Sequence, residues 1–310
     1  ISPEGIWSAD QINGLHLYPS GIGYKAFPIV GPYNNNFYAM DWQSNTLAVA
    51  SGRLLGKLPS FSSNGIHVLR DEAWDFKNIQ SVQQWQDENI WDFIDISVNP
   101  NDPLEYAVAS YSEKPLTIFS ADTVEVFDDT NSSLSFTGIE NGWSLASDVC
   151  FDTQNNLWVL NGYTEQPLNV RREDGSWMNF DCGSSARNIY TTKMIIDFND
   201  HIWFASEDHG MFGYNHNNTI DEPNDDASVH ISTGINSGNL PSSNVTALAA
   251  DFDGEIWVGT DAGFAILYNA GSSFDANAGE YDVQRVKVTF EGNVEYVLGN
   301  THITDIEVDG

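Results

Sequence analysis

Apolar and polar residues alternate with period two through most of the chain. In VTALAADFDGEIWVGTDAGFAILY, Val245 to Tyr268, the apolar positions include Ile256 and Val258, the signature of strands and not of helices. Asp253-Gly254 breaks the alternation with residues suited to a hairpin turn that needs positive φ. The unit then reads as an apolar strand, a turn, a Trp-centred strand, a second turn and a third strand.

The same unit recurs. LASDVCFDTQNNLWVLN centres on Trp158, TTKMIIDFNDHIWFAS on Trp203 and GIWSADQINGLHLY on Trp7, while NFYAMDWQSNTLAVASG and DFIDISVNPNDPLEYAVAS hold Ala48 and Ala107 at the marker position. The markers at 7, 48, 107, 158, 203 and 257 match blade periods of about 40 to 50 residues with loop insertions. They predict an all-β fold, a six-bladed β-propeller of four-stranded antiparallel blades, with seven blades as the alternative if a further repeat lies outside this sequence. The chain ends on HITDIEVDG, an inner strand and its turn, and begins with the second strand that should follow. One C-terminal strand, Ile303 to Gly310, and three N-terminal strands are expected to complete a blade and close the ring without exposed sheet edges. The blades map to 303–310 with 1–30, then 31–82, 83–135, 136–185, 186–236 and 237–300, forming one domain over 1–310 excised from a longer multidomain protein. The marker tryptophans are expected to pack between blades. Trp74 and Trp177 fit the starts of fourth strands, whereas Trp85, Trp91 and Trp143 fall outside the register.

Composition narrows the partners. Twelve Lys plus Arg against 44 Asp plus Glu leave a net charge of −32, which repels phosphate polymers, so no nucleic-acid partner is expected without bridging cations or a local basic patch. No apolar run is long enough to span a bilayer. The start at Ile1, with no Met and no signal-peptide pattern, implies that any targeting segment has been removed or lies outside this sequence. Cys150 and Cys182, the two cysteines, lack the spacing of a zinc or redox motif, and the sequence does not decide whether they pair.

Catalytic motifs do not emerge. Gly52 to Lys57 departs from a phosphate-binding loop in its glycine spacing and in the Leu58 that follows. His201, His209 and His216 are not spaced as zinc ligands, and Asp251, Asp253 and Glu255 read as a hairpin turn before a calcium loop. The weak cation candidates are Asp221, Asp225 and Asp226, so the cofactor expectation is none, with Ca2+ possible. No G-x-S-x-G or HExxH occurs, and no pair of carboxylates stands out, leaving a polysaccharide lyase or glycosidase as the minor, enzymatic alternative.

Propellers bind at the face that carries the second-to-third loops. There Arg53, Lys57 and Lys114 gather scarce cations suited to a glycan phosphate or carboxylate, and Tyr111 and Tyr163 suit stacking on sugar rings. Glu165 and His209 complete the candidate ligand-binding set. Ordinary solvated loop residues are the competing reading.

ITDIEVDG and LAADFDGEIWVGTDAGFAIL resemble the propeller repeats of periplasmic sensor regions in hybrid two-component regulators from Bacteroidetes. GPYNNNFYAMDWQSNTLAVASG, SNGIHVLRDEAWDF and ISVNPNDPLEYAVASYSEKPLTIFSADTVEVFDDTNSSL resemble the PorZ-type surface component of the type IX secretion system. The second resemblance implies a protein with two propellers and a C-terminal sorting domain, at the cell surface or in the periplasm. Its implied partners are other secretion-system proteins or anionic lipopolysaccharide, although a charge of −32 complements an anionic glycan poorly. A noncatalytic docking module is the leading expectation and a ligand-sensing propeller the second.

Overall fold

The computed structural model describes residues 5–10, 14–19, 23–27, 31–137, 142–275 and 281–308. The chain is an all-β propeller of successive antiparallel sheets. The first comprises β1 (Ile6–Asp10), β2 (Gly14–Tyr18) and β3 (Lys25–Phe27). In the second, β4 (Ala39–Gln43) and β5 (Thr46–Ala50) are followed by a small hairpin of β6 (Leu54–Leu55) and β7 (Leu58–Pro59), then by β8 (Ile66–Arg70) and β9 (Ala73–Lys77). A short helix, α1 (Gln83–Asp87), leads to β10 (Phe93–Val98), β11 (Tyr106–Ser112), β12 (Leu116–Phe119) and β13 (Val124–Phe127). The fourth repeat contains β14 (Ser144–Phe151), β15 (Leu157–Gly162), β16 (Leu168–Arg171) and β17 (Trp177–Phe180). The fifth contains β18 (Thr191–Ile196), β19 (Ile202–Ser206), β20 (Gly210–Asn215) and β21 (Ala227–Ile231). The sixth contains β22 (Val245–Ala250), β23 (Ile256–Thr260) and β24 (Gly263–Leu267), with a β-bridge from Ile266 to Gln284, before a hairpin of β25 (Lys287–Phe290) and β26 (Asn293–Tyr296).

Ala48, Ala107, Trp158, Trp203 and Trp257 lie in the second strands of their repeats, as the alternation predicts, whereas Trp7 lies in β1, the first strand of a three-stranded sheet. Trp158 and Trp203 are fully buried, and the ring of Trp203 lies where a Cβ on Gly213 would stand 2.5 Å from it. Trp257 is half-buried, but Trp7 is 39% exposed, so the packing role is weakest in the first repeat. The buried indoles have a polar brace. Asp152, Asp197 and Asp251, each six residues before a tryptophan, accept its Nε1–H at 3.0, 2.9 and 2.8 Å. The other oxygen of each carboxylate accepts backbone N–H groups of the intervening turn, among them those of Asn156, His201 and Glu255. One carboxylate thus satisfies an indole and a tight turn together, which accounts for Asp251, Asp253 and Glu255 as a hairpin.

Apolar clusters lie between consecutive repeats from the second to the sixth. Trp85 belongs to one of them, its ring tilted against Phe93 at a centroid distance of 4.1 Å and its Nε1–H donated to Thr117 Oγ1. Trp74 lies in β9 and Trp177 starts β17. Cys150 and Cys182 are free thiols in the cluster between the fourth and fifth repeats, and burial pushes both pKa values up.

The chain end differs from expectation. Residues 303–308 form no strand and no ladder with β1 among the described residues, while Asp309 and Gly310 lie outside them. The segment is held by the sixth repeat instead: Ile303 N–H donates to Thr260 O, and Ile303 packs on Gly259, where a Cβ would come within 2.7 Å of it. From there residues 304–308 line the central channel beside the first strands of repeats two to six.

Candidate functional site

The channel, about 820 Å³, is lined by β4, β10, β14, β18, β22 and residues 304–308. In β10, β14, β18 and β22 the ladder is bulged, at Phe93/Asp95, Ala146/Asp148, Thr191/Met194 and Val245/Ala247. A bulge re-aims the side chains beside it. Here it sets Asp95, Asp148 and Lys193 against one another: Lys193 Nζ lies 3.3 Å from Asp148 and 4.0 Å from Asp95. Burial raises the pKa of Asp95, and burial with the neighbouring Asp95 charge raises Asp148 well above the carboxylate range. Asp148 and then Asp95 hold the Lys193 pKa above its usual value. The carboxylates also join repeats, because Asp41 accepts Val98 N–H at 2.7 Å and Asp95 accepts Val149 N–H at 2.9 Å. These groups have structural partners across blade boundaries.

At one end of the channel an aromatic residue stands just before the first strand of four repeats: Tyr38, Trp91, Trp143 and Tyr190. They form a collar, and the long loop 51–65 of the second repeat lies on it. Phe61 sits edge-on to Trp91 and Trp143, with ring centroids 5.5 and 4.9 Å away, which places two tryptophans that the strand register left unexplained. Lys57 crosses to the fifth repeat, 3.1 Å from Glu207, bonded to Asp208 and 5.2 Å above the Tyr190 ring. Burial opposes its charge, but Asp208 and Glu207 outweigh burial and raise its pKa. The loop is anchored by Asp92, fully buried, whose carboxylate accepts the consecutive N–H groups of Ser60, Phe61 and Ser62 at 2.7–2.8 Å. This holds Phe61 at φ 61°, a left-handed conformation costly for a bulky side chain. Loop 51–65 is therefore a strap fixed at Asp92 and latched at Lys57.

The sequence-predicted residues divide around this strap. Lys57, Tyr111 and Tyr163 come together, but Tyr111 is fully buried in β11, its hydroxyl unpartnered and its pKa pushed up to about 12 by burial and Tyr163. It has no exposed face on which a sugar could stack. Tyr163, at φ 61°, packs 5.6 Å from Tyr190. Lys114 is apart, paired with Asp128 at 2.9 Å and Glu88 at 3.9 Å. Arg53 is exposed and has no ion pair among the described residues, so the three cations do not form one patch. Glu165 accepts from Asn188 Nδ2 at 3.0 Å and lies 4.0 Å from Arg187, and the exposed His209 contributes its carbonyl to His230 Nε2.

The acidic loop braces itself. Asp221 lies 3.8 Å from Arg172, Asp225 accepts from Thr219 and Asn217, and Asp226 accepts from the Tyr214 hydroxyl. No group of three or more His, Cys, Asp or Glu suited to a metal occurs among the described residues. Asp92, Tyr190 and Lys193 were not among the predicted residues. The aromatic recurring just ahead of four first strands was a signal for the collar, but the partners of Asp92 lie about 30 residues away and follow no local pattern.

Among the described residues no helix is long and apolar enough to cross a membrane. A family model described as two component regulator propeller matches residues 239–262. Comparison with curated proteins yields no match. Among solved structures, PorZ from Porphyromonas gingivalis, an essential bacterial surface component of its type-IX secretion system, aligns with TM-score 0.79 and 23% identity over 96% of this chain and 41% of PorZ. The extracellular domain of a putative hybrid two component system, BT4673, from B. thetaiotaomicron aligns with TM-score 0.54 and 14% identity, over 98% of this chain and 35% of that one. Virginiamycin B lyase from Staphylococcus aureus aligns with TM-score 0.53 and 11% identity over 98% and 84%. These identities establish fold alone, and this chain spans about two-fifths of PorZ. The chain is a β-propeller similar to PorZ and carries a repeat of the two-component-regulator type.

Proposed function

We propose that the chain is a six-bladed, noncatalytic propeller of a longer cell-surface protein, docking a protein partner of a type IX secretion assembly through its strapped face. The strap carries this reading. Leu55, Leu58 and Phe61 are 55%, 58% and 52% exposed on a segment that Asp92 and Lys57 hold across the channel mouth, so that face presents a built apolar surface. The ionisable groups inside the channel already bridge blades, which favours a scaffold over an enzyme. Surface lipopolysaccharide is the weaker partner, since two of the three cations nominated for it are already paired with carboxylates.

The test is co-purification of secretion-surface proteins with the full-length protein carrying Leu55→Asp and Leu58→Asp. Loss of capture with an unchanged melting temperature is expected. Undiminished capture sinks the proposal. The repeat at 239–262 favours a second reading, a ligand-sensing extracellular propeller, which gains if the full-length protein carries a membrane span and a kinase.

A further inference from the structure

The face opposite the strap carries the turns from first to second and from third to fourth strands. In the fourth repeat these turns, 152–156 and 172–176, close on each other: Asn155 Nδ2 donates to Glu173 at 3.1 Å, and Asn156 Oδ1 accepts Glu173 N–H at 3.3 Å. In the fifth repeat the second turn is replaced by the longer loop 216–226, which its own carboxylates brace. The two walls stand apart and leave an open cleft of about 500 Å³ between them, inside the range of about 300–1,000 Å³ usual for small-molecule sites.

The lining has one chemical character. Phe198, Asn199, Asp200, His201, Asn217 and Asn218 line it, with no lysine or arginine. The side chains of Asn199, Asp200 and Asn218 make no hydrogen bond to described residues, whereas Asn155, which stands at the position of Asp200 in the fourth repeat, is bonded to Glu173. His201 Nδ1 lies 2.9 Å from the Asp197 carboxylate oxygen that also accepts Trp203 Nε1–H, so Nδ1 is the donor to this acceptor and Nε2 is the other ring nitrogen. At the rim, Phe198 and Phe252 are 64% and 65% exposed with rings 5.6 Å apart. Beside the cleft, His216 is 7% exposed and its Nδ1 has no partner.

An apolar ligand would desolvate these amides without pairing them, and an anion would meet Asp200 with no cation to offset it. What fits is a molecule dense in hydroxyls with one apolar face. We propose that this cleft binds a neutral saccharide, one ring lying on Phe198 while its hydroxyls pair with Asn199, Asp200, Asn218 and His201. The site is independent of the strap.

Calorimetry and amide NMR titration of the propeller with maltose, cellobiose and lactose, and with a digalacturonate as the anionic probe, test it. Saturable binding of at least one neutral disaccharide is expected. Phe198→Ala and Asn218→Ala, both at exposed positions, should each weaken it about tenfold, equivalent to about 1.4 kcal/mol. Arg53→Ala and the Leu55/Leu58 double variant, on the other face, should leave it unchanged. The proposal is overturned if no neutral disaccharide saturates by about 20 mM, a Kd weaker than a specific site would give. It is equally overturned if binding survives both substitutions, or if the digalacturonate binds as tightly.

Discussion

In the fourth repeat Asp152 gathers Asn156 and Trp158 onto one carboxylate, and in the fifth Asp197 does the same with His201 and Trp203. The braces match in geometry, yet the turn around one is sealed by Glu173 and the turn around the other opens onto a cleft. The difference lies in the neighbouring turn. A short return after β16 brings Glu173 within reach, whereas loop 216–226 turns Asp225 onto its own Thr219 and Asn217 and leaves the Asn218 side chain without a hydrogen bond to described residues. The repeat supplies a scaffold whose stability depends on the brace, leaving the adjoining turn free to vary.

Removing the brace should have the largest effect. Asp152→Ala and Asp197→Ala each strand buried indole and backbone donors, and each should cost about 3 kcal/mol in denaturant unfolding. A much smaller loss in one repeat would break the equivalence. The Asp197 contribution has a defined pH window. Burial alone would raise its pKa, but hydrogen bonds from His201 and Trp203 outweigh burial and lower it. Stability from this group is therefore complete above the ordinary carboxylate pKa and is lost as pH falls through the depressed value. The gap between wild type and Asp197→Asn should be flat near neutrality and close in acid.

The two repeats meet at Asp148 and Lys193, the next test in size. Lys193→Met leaves Asp95 and Asp148 without their cation. The expected loss is about 2 kcal/mol at pH 7, less than the ~3–5 kcal/mol of a fully enclosed pair because Lys193 is 44% exposed and screened by water. The sign is opposite to that of Asp197. Both channel carboxylates have raised pKa values, so the variant should regain stability as pH falls and they take up protons. In the wild type the lysine contribution holds below its ordinary pKa and disappears as pH rises through the raised one.

Smaller effects sharpen the contrast between the turns. Exchanging Asn156→His and His201→Asn should cost under about 1 kcal/mol each by thermal melting, because either side chain can donate to its brace carboxylate. Glu173→Ala should change stability by less than about 0.5 kcal/mol while freeing Asn155, detectable as a shift of its side-chain amide resonances.

From the second repeat on, strands and marker positions were legible along the chain because alternation and turn residues act locally, whereas the strand expected at the chain end is not formed over 303–308. Trp158 and Trp203 could be assigned to the core for the same reason. Tyr111 could not be separated from an exposed loop aromatic, since its burial depends on Ile94, Leu145 and Leu54 from other segments. Lys57 and Lys114 looked like free cations until their carboxylate partners, Asp208 in another repeat and Asp128 beyond the next turn, came into contact.

The sequence by itself determined the antiparallel propeller, its repeats and a strongly acidic surface, all properties of periodicity and composition. Tertiary structure decided which charges remain free, which loop covers the channel and where two turns separate into a cleft. The physical reason is range. Alternation is written between adjacent residues, whereas the Asp92 anchor, the Lys57 latch and the Asp148–Lys193 pair exist only once distant strands are brought side by side.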